Sequence, residues 1–239
     1  MRARSGLTLA FALTGILAAP LPIGAAAPAQ AHSEAAQSIL SERQGIEQRL
    51  QDIGWRLAAA NASYCSDARP SIGLMLHDMA SYADPATVRR LLGLQRDFAV
   101  LAVAAGSPAA KAGLAAQDEI AGIDGIDPNG WPAAGAKDWR RAVRVHDLID
   151  ERLADRGEIR LTLASGRLVT LLPEQACPTR FELGGPGKRA LADGARVVIE
   201  RDFPGLSYSE DELAAAIAHE LAHNLLDHRK WLDAQGRKQ

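Results

Sequence analysis

The chain has 239 residues, 47% of them hydrophobic and 23% charged, with a formal net charge of −2. That is a globular composition with room for one large or two small domains. The nearly neutral balance gives no electrostatic case for nucleic-acid binding.

The N-terminus reads as an export signal. Arg2 and Arg4 give a positive start, Leu7–Ala19 is apolar and uncharged, and Ala29-Gln30-Ala31 is an A-x-A cleavage site, with Ala25-Ala26-Ala27 as a competitor. The apolar run is too short for a comfortable membrane span, and Pro20 and Pro22 follow it. The expected product is periplasmic or secreted, with no stable membrane span after cleavage. Cys65 and Cys177 are the only cysteines. An oxidising compartment favours a disulfide between them, the alternative being two separate buried thiols.

Apolar residues Ile39, Ile46, Leu50, Ile53 and Leu57 recur at steps of three, four and seven, which predicts one amphipathic helix over Ser33–Ala60, with Glu and Arg on its other face. An irregular segment through Cys65 and Pro70 follows, then a strand over Ile72–Met79 and a short helix over Pro85–Leu92 with Asp84 as N-cap. Phe98–Val103 reads as a strand, and Gly106–Leu114 as a turn and short helix closed by glycine. Asp118–Gly125 reads as a strand entering a tight turn. Asp138–Arg156 reads as a long helix carrying Trp139, Val143, Leu148, Ile149 and Leu153. Ile159–Ala164 and Leu168–Leu172, joined by Ser165-Gly166, form a predicted hairpin. Cys177–Gly187 reads as a Pro/Gly-rich connector, and Ala190–Glu200 as a turn into a strand.

The chemistry sits in the last predicted helix. Ser209 and Glu212 form an S-x-x-E capping box, with Glu210 and Asp211 in the first turn where the helix dipole favours anions. The helix carries His219-Glu220-Leu221-Ala222-His223, an HExxH pattern. Two histidines four residues apart share one helix face and can bind one Zn²⁺, with the glutamate between them as general base. A catalytic zinc needs a third protein ligand. His228 lies about 140° round an unbroken helix from His223 and is expected to point away, with no glycine between them to break the helix. Asp227 would lie about 12 Å along the axis from His219, too far for one tetrahedral ion.

Two resemblances extend this reading. Gly106-Ser107-Pro108-Ala109, Ala112-Gly113-Leu114, Asp118-Glu119-Ile120 and Ile123-Asp124-Gly125 resemble the PDZ domains of bacterial envelope proteases over residues 91–172. The resemblance implies that an extended peptide adds as a strand and that backbone N–H groups hold its terminal carboxylate. Leu92-Gly93-Leu94 is similar to that carboxylate loop, with Leu92 in place of the family's first glycine.

Ala190-Leu191-Ala192-Asp193-Gly194, the run Val197-Val198-Ile199, and a helix carrying the HExxH pattern and then His228 together resemble the HtpX and CAAX-prenyl-protease family of gluzincin-type zinc metallopeptidases. The resemblance implies zinc on His219 and His223, Glu220 as general base, and His228 as a trailing non-ligand. It also implies that substrate lies along an edge strand at Ala190, Leu191, Ala192 and Asp193. Arg189 stands where the family usually has Asn. The family's third ligand is a glutamate on a later helix, and this sequence reaches Gln239 first, so a truncated form with weak zinc binding is expected.

The expected fold is α+β: a PDZ-like β-domain inserted between an N-terminal helix and a mainly helical HExxH zinc-peptidase domain. The divisions are 1–31 signal peptide, 32–90 N-terminal helical part of the peptidase unit, 91–172 PDZ domain and 173–239 an incomplete active-site segment. The expected function is zinc-dependent endoproteolysis of protein or peptide substrates in the bacterial envelope. The alternative is a PDZ-type peptide-binding protein with an inactive peptidase part.

Overall fold

The computed structural model describes residues 27–236, with backbone alone for 27–31. Most of the expected signal segment lies outside these residues, and Ala29–Ala31 fall within the first helix, α1 (Ala27–Ala60). Pro28 occupies its first turn, where a missing N–H costs nothing, and no proline follows before Ala60. Leu50 and Ile53 are fully buried, with Trp55 and Ala58 beside them. Ile39, counted in the apolar stripe, is 64% exposed, so that stripe starts later than its spacing suggests.

The polar face of α1 is not simply solvated. Gln48 brackets Val103, its Nε2 donating to the carbonyl (2.7 Å) and its Oε1 accepting from the N–H (3.2 Å). Gln44 donates to the Leu101 carbonyl, and Asp52 accepts from the Ala105 N–H at 2.7 Å. One strip round, Glu47 accepts from the Leu183 N–H (3.2 Å) and Gln51 donates to the Phe181 carbonyl. Residues 44, 48 and 52 thus satisfy one exposed strand edge while 47 and 51 satisfy another, as a further strand would. The same helix tolerates Gly54 within its last two turns because the Phe181 ring lies on it. A Cβ there would meet the ring at 2.3 Å.

The first strand edge belongs to a β-unit. β1 (Arg69–Ser71) precedes β2 (Leu74–Asp78), which pairs antiparallel with β3 (Phe98–Val103). Between them lies α2 (Pro85–Leu92), capped by Asp84, whose Oδ1 accepts from the Thr87 N–H at 3.1 Å. After β3 come α3 (Pro108–Lys111), capped by Ser107, and β4 (Ile120–Ile123). α4 (Arg140–Arg156) leads to β5 (Ile159–Leu163) and β6 (Leu168–Leu171), and β4, β5 and β6 form one antiparallel sheet in that order. A bridge between Ala99 and Glu119 ties the two sheets.

The buried stripe of α4 is Val145, Ile149 and Leu153, at steps of four, whereas Trp139 is 55% exposed. Ile72 and Leu76 share this core with Phe98, Ile120 and Leu161. The unit therefore begins at Ile72 and not at Leu91, because β2 supplies the partner that β3 needs. Gly73 at its start has φ +64°, and a Cβ there would lie 2.3 Å from that of Ser107. Arg141 fastens α4 to the sheet: Nε donates to Asp78 (2.7 Å), Nη2 to Asp97 (2.6 Å) and Nη1 to the Trp131 carbonyl (2.8 Å).

The chain then returns to α1. β7 (Glu174–Ala176) pairs antiparallel with β1, and β8 (Arg180–Leu183) follows. The expected connector over Cys177–Gly187 therefore contains a strand. β8 is four residues long and its partner is remote and parallel, so no local pattern marks it. β9 (Ala190–Ala192) and β10 (Arg196–Ile199) complete a sheet of order β8-β10-β9, with β10 parallel to β8 and antiparallel to β9. α5 (Glu210–Leu225) packs Leu213, Ile217 and Leu221 against this sheet and α1, and α6 (His228–Ala234) follows. Among the described residues no helix is long and apolar enough to cross a membrane.

Cys65 and Cys177 are bonded, as export predicts, with Cα atoms 5.6 Å apart and a sequence separation of 112. Alanine at both positions is expected to lower stability by about 4 kcal/mol, because the open chain regains loop entropy on unfolding. The urea midpoint measures it, and an unchanged midpoint would deny the bond a stabilising role.

Candidate metal centre

Burial of Leu213, Ile217 and Leu221 fixes the rotation of α5 and turns the opposite face outward. The Ser209–Glu212 capping box is formed in both directions, so the helix starts where the sequence predicts. His219 is exposed, and Glu220 and His223 are half-buried. The two Nε2 atoms lie 3.2 Å apart. Two nitrogens on one tetrahedral zinc, each about 2.0–2.1 Å from it, stand about 3.3 Å apart. The histidine pair therefore already has the spacing of one edge of such a site. The Glu220 carboxylate makes no hydrogen bond or ion pair with the described residues, which leaves it available to a ligand. Among the described residues, no group of three or more His, Cys, Asp or Glu side chains could hold a metal ion.

His228 does not point away. α5 ends at Leu225, and Asp227 takes a left-handed conformation, φ +51° and ψ +31°. The chain turns there without a glycine, and His228 Nδ1 comes to 2.8 Å from His223 Nδ1. It meets the ring nitrogen opposite the one that faces His219, so it does not join the Nε2 pair. Asp227 instead pairs with Lys230 at 2.7 Å.

The segment expected to carry substrate forms β9, the edge strand of its sheet, and α5 packs against it. Ala190, Leu191 and Ala192 form it, while Asp193 closes the following turn by accepting from the N–H groups of Ala195 (3.0 Å) and Arg196 (2.7 Å). Asn224, buried in α5, holds the helix to that turn. Its Oδ1 accepts from the Gly194 N–H at 2.8 Å and its Nδ2 donates to the Arg196 carbonyl at 3.1 Å. The sequence signal was an asparagine within an Ala/Leu-rich helix, an unfavourable residue there unless its amide is used. Asn224→Ala is expected to destabilise the fold by about 2 kcal/mol through the two orphaned backbone groups. Thermal unfolding measures it, and an unaltered transition would remove the clamp.

Leu92, Gly93 and Leu94 do not form a carboxylate loop. The Gly93 N–H donates to the carbonyls of Arg89 and Arg90, and the Leu94 N–H donates to Arg89, so both are spent closing α2. Leu94 is buried against Met79 and Ala99. A different trough is built between the unpaired edge of β2 and α4, with a cavity of ≈ 410 Å³ that begins at Ser71–Leu74. His146 of α4 lies across that edge, its Nε2 accepting from the Leu76 N–H at 3.2 Å, and burial pushes its pKa down to about 4. Gln51 and Trp55 of α1 and Phe181 of β8 line the same cavity. Arg180 of β8 ties down α4 through Asp147 (2.8 Å) and Asp150 (2.7 Å). In sequence, one histidine beside an apolar stripe gives no distinct signal, so His146 is visible in the fold alone.

No protein-family model matches the chain, and no curated protein matches it significantly in sequence.

Proposed function

We propose that the chain is a zinc-dependent metalloendopeptidase of the HtpX and CAAX-prenyl-protease type, acting on polypeptides in the bacterial envelope. The observation that carries this reading is the pair of Nε2 atoms at 3.2 Å on an outward helix face, beside an edge strand. His219 and His223 would hold the metal, with a third ligand donated from outside residues 27–236. Zinc, when bound, supplies Lewis acidity for attack of water on a peptide carbonyl. Glu220 takes the proton of the attacking water and delivers it to the leaving amine. β9 offers backbone groups to an extended substrate. The disulfide fits an oxidising compartment.

The β-unit would act as a PDZ-type domain that receives polypeptide ends along β2, in the trough beginning at Ser71–Leu74 and not at Leu92–Leu94. A strand added there has to displace His146 from the Leu76 N–H. Zinc titration of the wild type and of His219→Ala/His223→Ala tests the main reading. Saturable binding of one zinc per chain, absent from the double variant, is expected. Equal binding in both would overturn the metal site. Loss of casein cleavage on adding a chelator is the expected companion result.

A further inference from the structure

Two nitrogen pairs meet at His223, one at each ring nitrogen, and both lie within hydrogen-bonding distance. The His219–His223 Nε2 pair, at 3.2 Å, has the spacing of two ligands on one tetrahedral ion. The His223–His228 Nδ1 pair, at 2.8 Å, is too short for that and has the length of a hydrogen bond. The ring centroids of His223 and His228 are 4.8 Å apart with the planes at 72°, an edge-on approach that the His219–His223 pair shares at 4.8 Å and 75°.

We infer that His228 is a positioning residue that fixes the tautomer and the ring orientation of His223. The inference rests on the zinc reading above. A neutral imidazole has one N–H and one bare nitrogen. If Nδ1–H of His223 donates to a bare Nδ1 on His228, the lone pair of His223 lies at Nε2, on the side that faces His219. If the proton sat on Nε2, His223 would present an N–H to the metal and could not bind it. A hydrogen bond to the second ring nitrogen is the means by which ligating histidines are held in register.

The backbone is built for this contact. On a continuous helix the position five after His223 lies about 140° away and could not reach it. Asp227 supplies the turn at φ +51°, a left-handed conformation that disfavours a residue with a Cβ. After Leu226 and Asp227 the helix resumes, and the Trp231 N–H donates to the Asp227 carbonyl at 3.0 Å. The interruption therefore moves His228 without unravelling the segment.

Three variants and two readouts test the inference in the full chain. His228→Phe keeps the bulk and removes the acceptor. His228→Asn places a carbonyl oxygen near the position of Nδ1. Asp227→Gly keeps the left-handed turn and relieves its strain. Zinc affinity is measured by competition with a chromophoric chelator, and the His223 tautomer by ¹⁵N NMR of the metal-free protein. Zinc binding by His228→Phe is expected to weaken on the order of ten- to a hundredfold, with unchanged circular dichroism. His228→Asn and Asp227→Gly are expected to stay within a few-fold of wild type. His223 is expected to be Nδ1-protonated in the wild type and mixed in His228→Phe. Unchanged affinity in His228→Phe, or an Asn variant as weak as the Phe variant, would reduce His228 to packing. If wild-type chain binds no zinc, the zinc reading fails by itself, and the tautomer still decides the role of His228. An Nε2-protonated His223 in the wild type overturns it.

Discussion

Replacing Glu220 by glutamine is expected to lower peptide cleavage at saturating zinc by on the order of 10³-fold, with zinc affinity near that of the wild type. The two parts of the expectation have separate physical grounds. Glu220 lies between the histidines in sequence but outside their Nε2 pair, so the amide removes no ligand. Glutamine also has nearly the same shape and the same helix propensity, so α5 keeps its capping box and its buried stripe. What is lost is basicity. A carboxylate accepts a proton from attacking water and returns it to the leaving nitrogen, and an amide does neither. Glu220 makes no bond with the described residues, so the substitution orphans no partner. Cleavage of a denatured casein-type substrate and zinc titration, made on the same preparation, check the two halves. Undiminished cleavage would take Glu220 out of the reaction. Lost zinc would give the side chain a structural part in the metal site.

The features legible in the sequence are those with a local cause. The start of α5 was legible because a capping box satisfies two backbone groups within four residues. The hairpin at Ser165-Gly166 was legible because β5 and β6 are neighbours in the chain. The disulfide is the exception, legible across 112 residues because the chain has two cysteines alone and its N-terminus reads as a signal for an oxidising compartment. Two features that the sequence hides depend on partners outside their own segments. β8 exists because β10 lies beside it and because Glu47 and Gln51, more than a hundred residues earlier, satisfy its backbone. The same distance hides the double role of α1, whose glutamines look like an ordinary solvated face. Leu92-Gly93-Leu94 is ambiguous in sequence because a left-handed glycine serves a helix C-cap as well as an anion loop, and only the destination of the N–H groups distinguishes them. The helix break at Asp227 has no sequence signal because the turn is made without the glycine that would announce it. In the candidate site, then, the His219–His223 pair and Glu220 are legible as an HExxH pattern, while the positions of His228 and Asn224 are set by tertiary structure.

Glu47→Gln is expected to stabilise the protein by about 3 kcal/mol at pH 8 and to give no gain at pH 4.5. Glu47 is 4% exposed, and burial raises its pKa from 4.5 to about 7 against the lowering effects of the Leu183 N–H and Arg43. Arg43 is a weak partner, 3.9 Å away, and Glu182 nearby opposes the charge further. A carboxyl with a raised folded-state pKa adds stability below its unfolded value, here 4.5, and loses it as the pH climbs through 7. At pH 8 the wild type therefore holds an ionised carboxylate against desolvation, which the amide avoids. The amide oxygen can still accept from the Leu183 N–H, so the edge of β8 stays covered. His77 and His146 act in the opposite sense. Burial lowers both to about 4, so their contribution is present above pH 6.5 and is lost as the pH falls toward 4. In the wild type these trends partly cancel between pH 4.5 and 6.5, which flattens the stability profile. Both histidines are common to the two proteins, so the difference between them isolates Glu47. Urea midpoints at pH 4.5, 6 and 8 should therefore separate progressively, with the variant ahead at the top of the range. Midpoints that stay together at pH 8 would mean that water or Arg43 already stabilises the ionised carboxylate. Burial of Glu47 would then cost the fold nothing, and α1 would hold the β8 edge as well with a charge as with an amide.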